Sequence, residues 1–476
     1  MKQQFMAGLI AIIIIISISG CTDKNASEPL PDVAETCVHE KLNKSNVTTT
    51  WDLSFLFCNR EEVMSEFEVI KLRSDELTLR SEEIRLRTEY IDETYRPKFR
   101  ILTGSVLLQY LEDEKAFYKS LEVIWLYAFA HHSLNVNDEF FETLLADLQD
   151  LHTEHEKATS FVTLKLSSIS KPEWAKIFEE EPGLKNYRRH LESRYIRYAD
   201  HGPQNETHAA FLASIGNQHM KFVTKAIKEI TNNVSKAGNI TLDSGVDYAI
   251  TLQSYESLLS TDTNRTNRAR CYDKMFYHLI NESDKMAELY REKAKLDDLC
   301  ARERNYTDAY EAKMFCSYLT REQIGDMNSV FKERKDVFDG YYEFMKNKQE
   351  LNELRPYDLY LQLMADPDQK YNYTDALIEI QESYSQMDPV FNDIFIETVT
   401  GNFTDVYPES GKLPGCYCLP ICALQSPSLM LMNYQGLIQD KKVITHEFGH
   451  VINFYLMSNN VDYLYCWCNM YEIEIP

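Results

Sequence analysis

Apolar residues recur at helical intervals along most of the chain. From residue 61 onward they are spaced three, four or seven residues apart, as at Val63, Phe67, Ile70, Leu77 and Ile84. Further stretches with this periodicity lie at 106–133, 139–151, 208–230, 246–259, 270–300, 310–348 and 376–396. Turn-forming sequences, such as KPEW at 171–174, separate several of them. Because such spacing lines one face of a helix, the pattern predicts a mainly α-helical protein.

Strand-like sequence is scarce. The clearest candidate is SPSLMLMNY at 426–434, where a short apolar run is followed by Gly436. A helix-like stretch begins a few residues later. We therefore expect a small β element immediately before that helix.

Composition indicates a large folded body with an acidic surface. The chain has 476 residues but only 15 glycines and 14 prolines, which favours long helices over many short strands. Its formal net charge of −24 disfavours binding to nucleic acid or anionic lipid, and we expect neither as a partner. Solubility explains the charge. Nothing in the sequence indicates an oligomeric state.

The N-terminus resembles a secretory signal. Lys2 precedes an apolar run at 5–18, which is followed by small residues. We expect residues 1–20 to be a signal peptide, although a short uncleaved membrane anchor has the same pattern. The order Ile-Ser-Gly-Cys ending at Cys21 also resembles a bacterial lipoprotein signal. The expectation is a secreted protein, with a lipid anchor through Cys21 as the alternative.

Potential glycosylation sites favour the secreted alternative. The chain contains eleven Asn-x-Ser/Thr sequons, where ordinary composition would give about three. Eleven cysteines also suit an oxidising compartment. The sequons begin at Asn25, Asn43, Asn46, Asn205, Asn233, Asn239, Asn264, Asn281, Asn305, Asn372 and Asn402. We expect a glycoprotein of the eukaryotic secretory route.

The stretch THEFGHVINFYL at 445–456 contains the motif H-E-x-x-H, formed by His446, Glu447 and His450. On a helix, residues four apart share a face, so both imidazoles can bind one tetrahedral Zn²⁺. The carboxylate of Glu447 can then reach a zinc-bound water and act as general base. The motif predicts a zinc site of the kind that hydrolyses peptide bonds.

A catalytic zinc of this kind needs a third protein ligand. No histidine follows His450, which excludes the H-E-x-x-H-x-x-G-x-x-H pattern. The acidic candidates downstream are Asp462, Glu472 and Glu474. Spacing alone does not choose between them.

Several segments in the same order resemble the oligoendopeptidase F family, within the thimet-oligopeptidase-like zinc metallopeptidases. The segments are TWDLSFLF (50–57), REKAKLDDLCARERNYTDAYEAKMF (291–315), RPYDLYLQL (355–363), DVYPESGKLPGCYC (405–418), LMNYQG (431–436) and the H-E-x-x-H stretch. The resemblance implies a helical ellipsoid with a deep cleft that admits oligopeptides. It also implies the following organisation: 1–20 signal peptide, 21–50 polar linker, 51–205 N-terminal helical region and 206–476 metallopeptidase catalytic region.

The resemblance also implies a ligand set. His446, His450 and Glu474 would bind one Zn²⁺, and Glu447 would be the base of a metalloendopeptidase. In the family a small residue or proline follows the third ligand, as Pro476 does here.

The family's substrate is expected to pair with a strand edge. In this chain that edge corresponds to the backbone of Gly415, Cys416 and Tyr417.

This sequence departs from the family pattern at three points. Asn453 replaces a common histidine that is not a ligand, and Leu413 replaces a basic residue. The family also continues well beyond the third ligand, with side chains that stabilise the developing oxyanion. We therefore expect a C-terminally truncated member. The alternative to an active enzyme is an inactive secreted homologue that binds peptide or metal.

Two other clusters carry chemistry-bearing side chains. Cysteines flank the zinc-type helix at positions 416, 418, 422, 466 and 468, and we expect disulfides there rather than a thiolate metal site. The histidines and glutamates of LHTEHEK at 151–157 lack metal-site spacing, and we expect them on the exposed face of a helix.

Overall fold

The computed structural model describes residues 41–89, 104–363, 370–466 and 473–474. The fold is mainly helical, as the periodicity predicts. The predicted signal peptide, Cys21 and most of the linker lie outside the described residues. The helices are α1 (Arg60–Glu89), α2 (Gly104–Leu134), α3 (Glu139–Ala158), α4 (Ser160–Ser168), α5 (Lys171–Glu180), α6 (Arg188–Leu191), α7 (Glu206–Glu229), α8 (Leu252–Thr261), α9 (Arg265–Asn281), α10 (Ser283–Glu303), α11 (Ala309–Cys316), α12 (Arg321–Glu333), α13 (Lys335–Lys348), α14 (Tyr373–Tyr384), α15 (Pro389–Thr400) and α16 (Ile438–Asn460).

Helix α1 confirms the prediction that the periodic apolar residues line one buried face of a helix. Its five periodic apolar side chains, at positions 63, 67, 70, 77 and 84, are all buried against helices α2 and α3. Burying each such side chain contributes about 1.5–3 kcal/mol. Across the described ranges, no helix is both long and apolar enough to cross a membrane.

The prediction of a helix at 246–259 was wrong for the first half of that stretch. Residues there belong to a hairpin of two antiparallel strands, β1 (Lys236–Thr241) and β2 (Asp247–Thr251). Helix α8 begins only after Thr251, whose hydroxyl accepts a hydrogen bond from the Ser254 backbone N–H at 3.1 Å. This cap marks a strand-to-helix boundary that apolar spacing does not show.

Three other predicted helices are interrupted. The stretch 270–300 breaks at Glu282, between α9 and α10, and 310–348 divides into α11, α12 and α13. The stretch 376–396 breaks before Pro389, where Asp388 caps α15 by accepting from the Val390 N–H at 3.0 Å. Capping groups satisfy the first backbone N–H groups of a new helix, so the chain turns without losing apolar periodicity.

The turn predicted at KPEW was also wrong, since these residues open helix α5. Ser170 and Glu173 form a capping box, in which the Glu173 carboxylate accepts from the Ser170 N–H at 2.9 Å. Pro172 lies in the first turn, where its missing N–H has no intrahelical partner to lose.

The exposed face expected at 151–157 is partly buried. His155 is 1% exposed and stacks on Phe117, with ring centroids 4.1 Å apart. Its Nδ1 lies 3.1 Å from the Ser74 hydroxyl. Burial lowers the pKa of His155 to about 3, so the ring is neutral and belongs to the core.

The small β element predicted before the last helix is present. It is a three-stranded sheet in the order β3 (Thr404–Asp405), β5 (Ser426–Leu431), β4 (Tyr417–Ile421). Strand β4 runs antiparallel to β5 with Tyr417 opposite Leu431, and β3 runs parallel to β5. Strand β4 is therefore an edge of this sheet within the described residues.

Helix α16 lies across this sheet and against helices α14 and α15. Phe448, which is fully buried, packs on Phe395 of α15 with ring centroids 4.6 Å apart. Ile444, Val451 and Ile452 of α16 are also buried in this second core. Packing on two sides holds the H-E-x-x-H residues in a fixed orientation.

Candidate active site

The start of helix α16 is built by a sharp turn. Gly436 has φ +81, and a Cβ there would lie 3.0 Å from the Tyr371 carbonyl oxygen. The Asp440 carboxylate accepts hydrogen bonds from the N–H groups of Gln435 and Leu437, both at 2.8 Å. A carboxylate at this end also favours the helix dipole. Together these contacts set the direction in which α16 leaves the sheet.

The three predicted ligands converge, two of them from α16 and the third from Glu474. The Nε2 atoms of His446 and His450 are 3.1 Å apart. An Oε2 atom of Glu474 lies 3.6 Å from Nε2 of His446 and 4.0 Å from Nε2 of His450. Among the described residues, this is the group of histidine, cysteine and acidic side chains whose ligand atoms lie close enough to hold a metal ion.

The arrangement fits a zinc ion. Two nitrogens bound to a tetrahedral zinc at about 2.0–2.1 Å would lie roughly 3.3 Å apart, close to the observed separation. Burial and the neighbouring His446 lower the pKa of His450, which favours the neutral ring that a metal requires. The Nδ1 atom of His450 is buried without a hydrogen-bond partner in the described part of the chain. In metal sites such a nitrogen usually donates to an outer partner.

Glu447 lies on the buried side of the same helix and is 6% exposed. Burial, and then the negative charge of Glu474, raises the pKa of Glu447 to about 8. A bound cation would oppose this rise, because positive charge favours the carboxylate. The side chain therefore sits where a proton can be held or released near neutral pH.

Asp462 forms an ion pair away from the two histidines. Its carboxylate pairs with Lys115 of α2 at 3.2 Å and accepts from the Leu464 N–H at 3.1 Å. Of the acidic candidates, the structure therefore brings Glu474 to the histidines and keeps Asp462 away. Glu472 lies outside the described residues.

Of the predicted substrate-binding residues, Tyr417 begins the edge strand β4, and Gly415 and Cys416 immediately precede it. Gly415 is exposed, with φ +101 and open space where a Cβ would be. The Tyr417 side chain is buried near Phe129, with ring centroids 6.3 Å apart, so only its backbone faces the edge. Cys416 lies close enough to Glu447 for that carboxylate, after burial, to raise the pKa of its thiol. The structure thus places these residues beside the candidate base.

Two polar residues that hold this loop were not among the predicted site residues. Lys412 is buried, and its Nζ donates to the Asp405 carboxylate at 2.5 Å and to the Tyr407 carbonyl at 2.7 Å. Asn433 donates from its side-chain amide to two carbonyls of the loop. Both residues lie in segments that resemble the oligoendopeptidase F family, and this resemblance could have indicated their importance.

The disulfides expected around the helix are not formed among the described cysteines. Cys416, Cys418 and Cys466 carry thiols, and Cys466 packs with Cys422 and Tyr463 in a small cluster. Cys468 lies outside the described residues.

The chain is similar to several known peptidases. The pattern that defines peptidase family M3 matches residues 258–476. Oligopeptidase PepF of Bacillus subtilis is 21% identical over 460 residues, which cover 96% of this chain and 64% of that protein. An oligoendopeptidase F homologue of Borreliella burgdorferi is also 21% identical, over 91% of this chain and 69% of its own length. The chain thus spans about two thirds of the length of the curated relatives it matches.

Solved structures share the fold. Oligoendopeptidase F of Enterococcus faecium superposes with a TM-score of 0.56 at 19% identity, over 71% of this chain and 61% of that one. Pz peptidase A, solved with an inhibitor, superposes with a TM-score of 0.63 at 15% identity, over 91% of this chain and 68% of that one. The mainly helical fold of the chain is therefore a known architecture.

Proposed function

Because the chain belongs to the oligoendopeptidase F family, we propose that it is a zinc metalloendopeptidase that hydrolyses internal bonds of oligopeptides. The substrate class rests on the names of the relatives, which are oligopeptidases and oligoendopeptidases. The observation that carries the proposal is the convergence of His446, His450 and Glu474 beside the buried Glu447. Two imidazoles and a carboxylate are a known donor set of catalytic zinc, which keeps a fourth position for water.

The proposed reaction assigns each side chain one task. The two histidines and Glu474 would hold the ion. When bound, zinc supplies a water of lowered pKa and polarises the scissile carbonyl. Glu447 takes a proton from the attacking water and passes it to the leaving amine as the C–N bond breaks. Its burial keeps this proton away from bulk solvent.

Secretion and glycosylation remain part of the proposal. None of the sequon asparagines within the described residues is buried. Asn205 and Asn372 cap helices through Oδ1, which leaves Nδ2 available for a glycan. A lipid anchor through Cys21 is the alternative.

The direct test is peptide hydrolysis by the zinc-loaded protein. We expect cleavage of internal bonds in short peptides, lost by at least about a hundredfold in Glu447→Gln, since general acid–base catalysis contributes this much. The matched control is Glu382→Gln, which makes the same change at an exposed glutamate of α14. Retained cleavage in Glu447→Gln would remove the assignment of the base.

A second candidate function is binding of peptide or metal without turnover. The observation in its favour is that the converging ligand atoms of His446, His450 and Glu474 suffice to hold a metal ion whether or not turnover follows. Wild-type protein that binds zinc and peptide but cleaves no peptide of any length would favour this second function.

A further inference from the structure

Helices α12 and α13 follow each other directly and carry an exposed apolar face. Within the described part of the chain, no residue from 321 to 344 is buried. Large apolar side chains recur there, mainly three or four residues apart within each helix, and each is 43–58% exposed. These side chains, which we call the α12–α13 face, are Met327, Val330, Phe331, Val337, Phe338, Tyr341, Tyr342 and Phe344.

The two helices are attached to the rest of the protein near their ends. Arg321, the first residue of α12, pairs with both carboxylate oxygens of Asp308 at 2.8 and 2.7 Å. Near the end of α13, the side chain of Met345 is buried. The residues between these two anchors are therefore held in place without contributing a side chain to the core.

This exposure is not what the stability of the two helices requires. An isolated helix of 13 or 14 residues is marginal in water, and packing of an apolar face normally supplies most of its stability. Leaving the whole α12–α13 face in water forgoes that stabilisation. A contiguous apolar surface of this kind is typical of a site at which another protein docks.

The α12–α13 face has the size of an interface between two folded chains. An aromatic side chain can bury about 150–250 Å², and five of the eight side chains are aromatic. At the observed exposures the face offers on the order of 700 Å² of side-chain surface. A stable interface buries about 800 Å² on each partner, so this face needs only a rim of flanking polar groups to reach that size.

Charge favours a second copy of the chain as the occupant. Residues 321–348 contain six basic and six acidic side chains and are formally neutral, although the whole chain carries −24. Two such acidic chains repel each other, and they do so least where a surface without net charge meets its equal. A helix that lies on a membrane surface would instead carry an excess of lysine and arginine on its polar side.

We propose that the α12–α13 face is the contact surface of a homodimer, in which a second copy packs its own α12–α13 face against the first. In a twofold dimer each patch meets an identical patch, so a neutral apolar face is complementary to itself. The aromatic side chains are the expected anchors of the contact. The inference concerns assembly and goes beyond peptide hydrolysis, on which it does not depend.

The first test is the molar mass of the full chain, measured by light scattering after size-exclusion chromatography over a range of micromolar concentrations. We expect the wild type to be a dimer. Phe331→Glu should raise the dissociation constant at least about a hundredfold, because the twofold axis places two unpaired carboxylates in the contact. Since Phe331 contributes nothing to the core, the variant should keep the circular dichroism spectrum of the wild type.

The matched control is Phe211→Glu, which makes the same change at a phenylalanine of α7 that is 41% exposed. Its dissociation constant should equal that of the wild type. A wild type that is monomeric throughout the concentration range would overturn the proposal. So would a dimer that persists in Phe331→Glu, or one that is lost equally in the control.

Hydrogen exchange of the wild type tests the same face without any substitution. The backbone amides of 321–344 should exchange more slowly as the concentration rises through the dissociation constant, whereas those of α1 should not change. Amides of 321–344 that are protected while the protein stays monomeric would show that another occupant covers the face and would overturn the proposal. Neither test involves cleavage, so each result stands whether or not the protein is an active peptidase.

Discussion

Replacing Glu122 by glutamine should make stability less dependent on pH. Glu122 lies on α2, is 7% exposed, and accepts a hydrogen bond from the Ala423 N–H at 3.0 Å. It thus joins the N-terminal helices to the turn between β4 and β5. Burial raises its pKa from 4.5 to about 7, and the hydrogen bonds it accepts only partly offset this.

The direction in which stability changes with pH depends on whether the folded or the unfolded state binds the proton more tightly. The folded protein holds this proton more strongly than the unfolded chain, so the stabilisation is complete below about pH 4.5 and is lost as the pH rises through about 7. A rise from 4.5 to about 7 corresponds to roughly 3 kcal/mol. Glutamine at position 122 stays neutral and keeps an acceptor for Ala423.

The assay is urea unfolding of wild type, Glu122→Gln and Glu112→Gln between about pH 5 and pH 8. The control, Glu112, is half-exposed on the same helix. We expect the stability of Glu122→Gln relative to wild type to increase by about 2–3 kcal/mol across this range, and that of the control to stay constant. A difference that does not change with pH would refute the reasoning.

Two further substitutions test a buried ion pair and the turn that begins α16. Asp358→Asn should lower the free energy of unfolding by about 3–5 kcal/mol, because the buried Arg268 guanidinium, 3.1 Å from that carboxylate, loses its charged partner. In the same denaturation series, Glu353→Gln at an exposed position should change the free energy of unfolding by less than about 0.5 kcal/mol. Gly436→Ala should cost about 1–2 kcal/mol, because φ is +81 and a Cβ would press on a carbonyl oxygen. Gly340→Ala, in open space on α13, should be neutral or stabilising, and equal costs at the two glycines would contradict this account.

Apolar spacing predicted where helices lie but not where they break. The buried positions of α1 followed directly from their intervals, because a single face packs against its neighbours. The break before Pro389 depends on short-range capping by Asp388, which leaves the apolar period almost unchanged. Spacing predicted an exposed side chain at His155, but its burial depends on Phe117 from another helix.

The candidate site was predictable as far as one helix determines it. Residues four apart share a face, so His446 and His450 meet whatever the rest of the fold does. The choice of Glu474 over Asp462 depends on tertiary docking, in which Lys115, far away in the chain, pairs with Asp462. The contacts of the Asn433 amide with the Leu413 and Gly415 carbonyls depend on how two loops meet in the fold, which spacing did not reveal.

The most direct test of the central claim is zinc affinity in single-residue variants. Wild type should bind one zinc per chain, and Glu474→Ala should bind it about a hundredfold or more weakly, because three protein ligands hold a zinc of this kind. Asp462→Ala and Glu472→Ala should retain the wild-type affinity. Unchanged affinity in Glu474→Ala, or a comparable loss in either of the other variants, would contradict the proposed metal site.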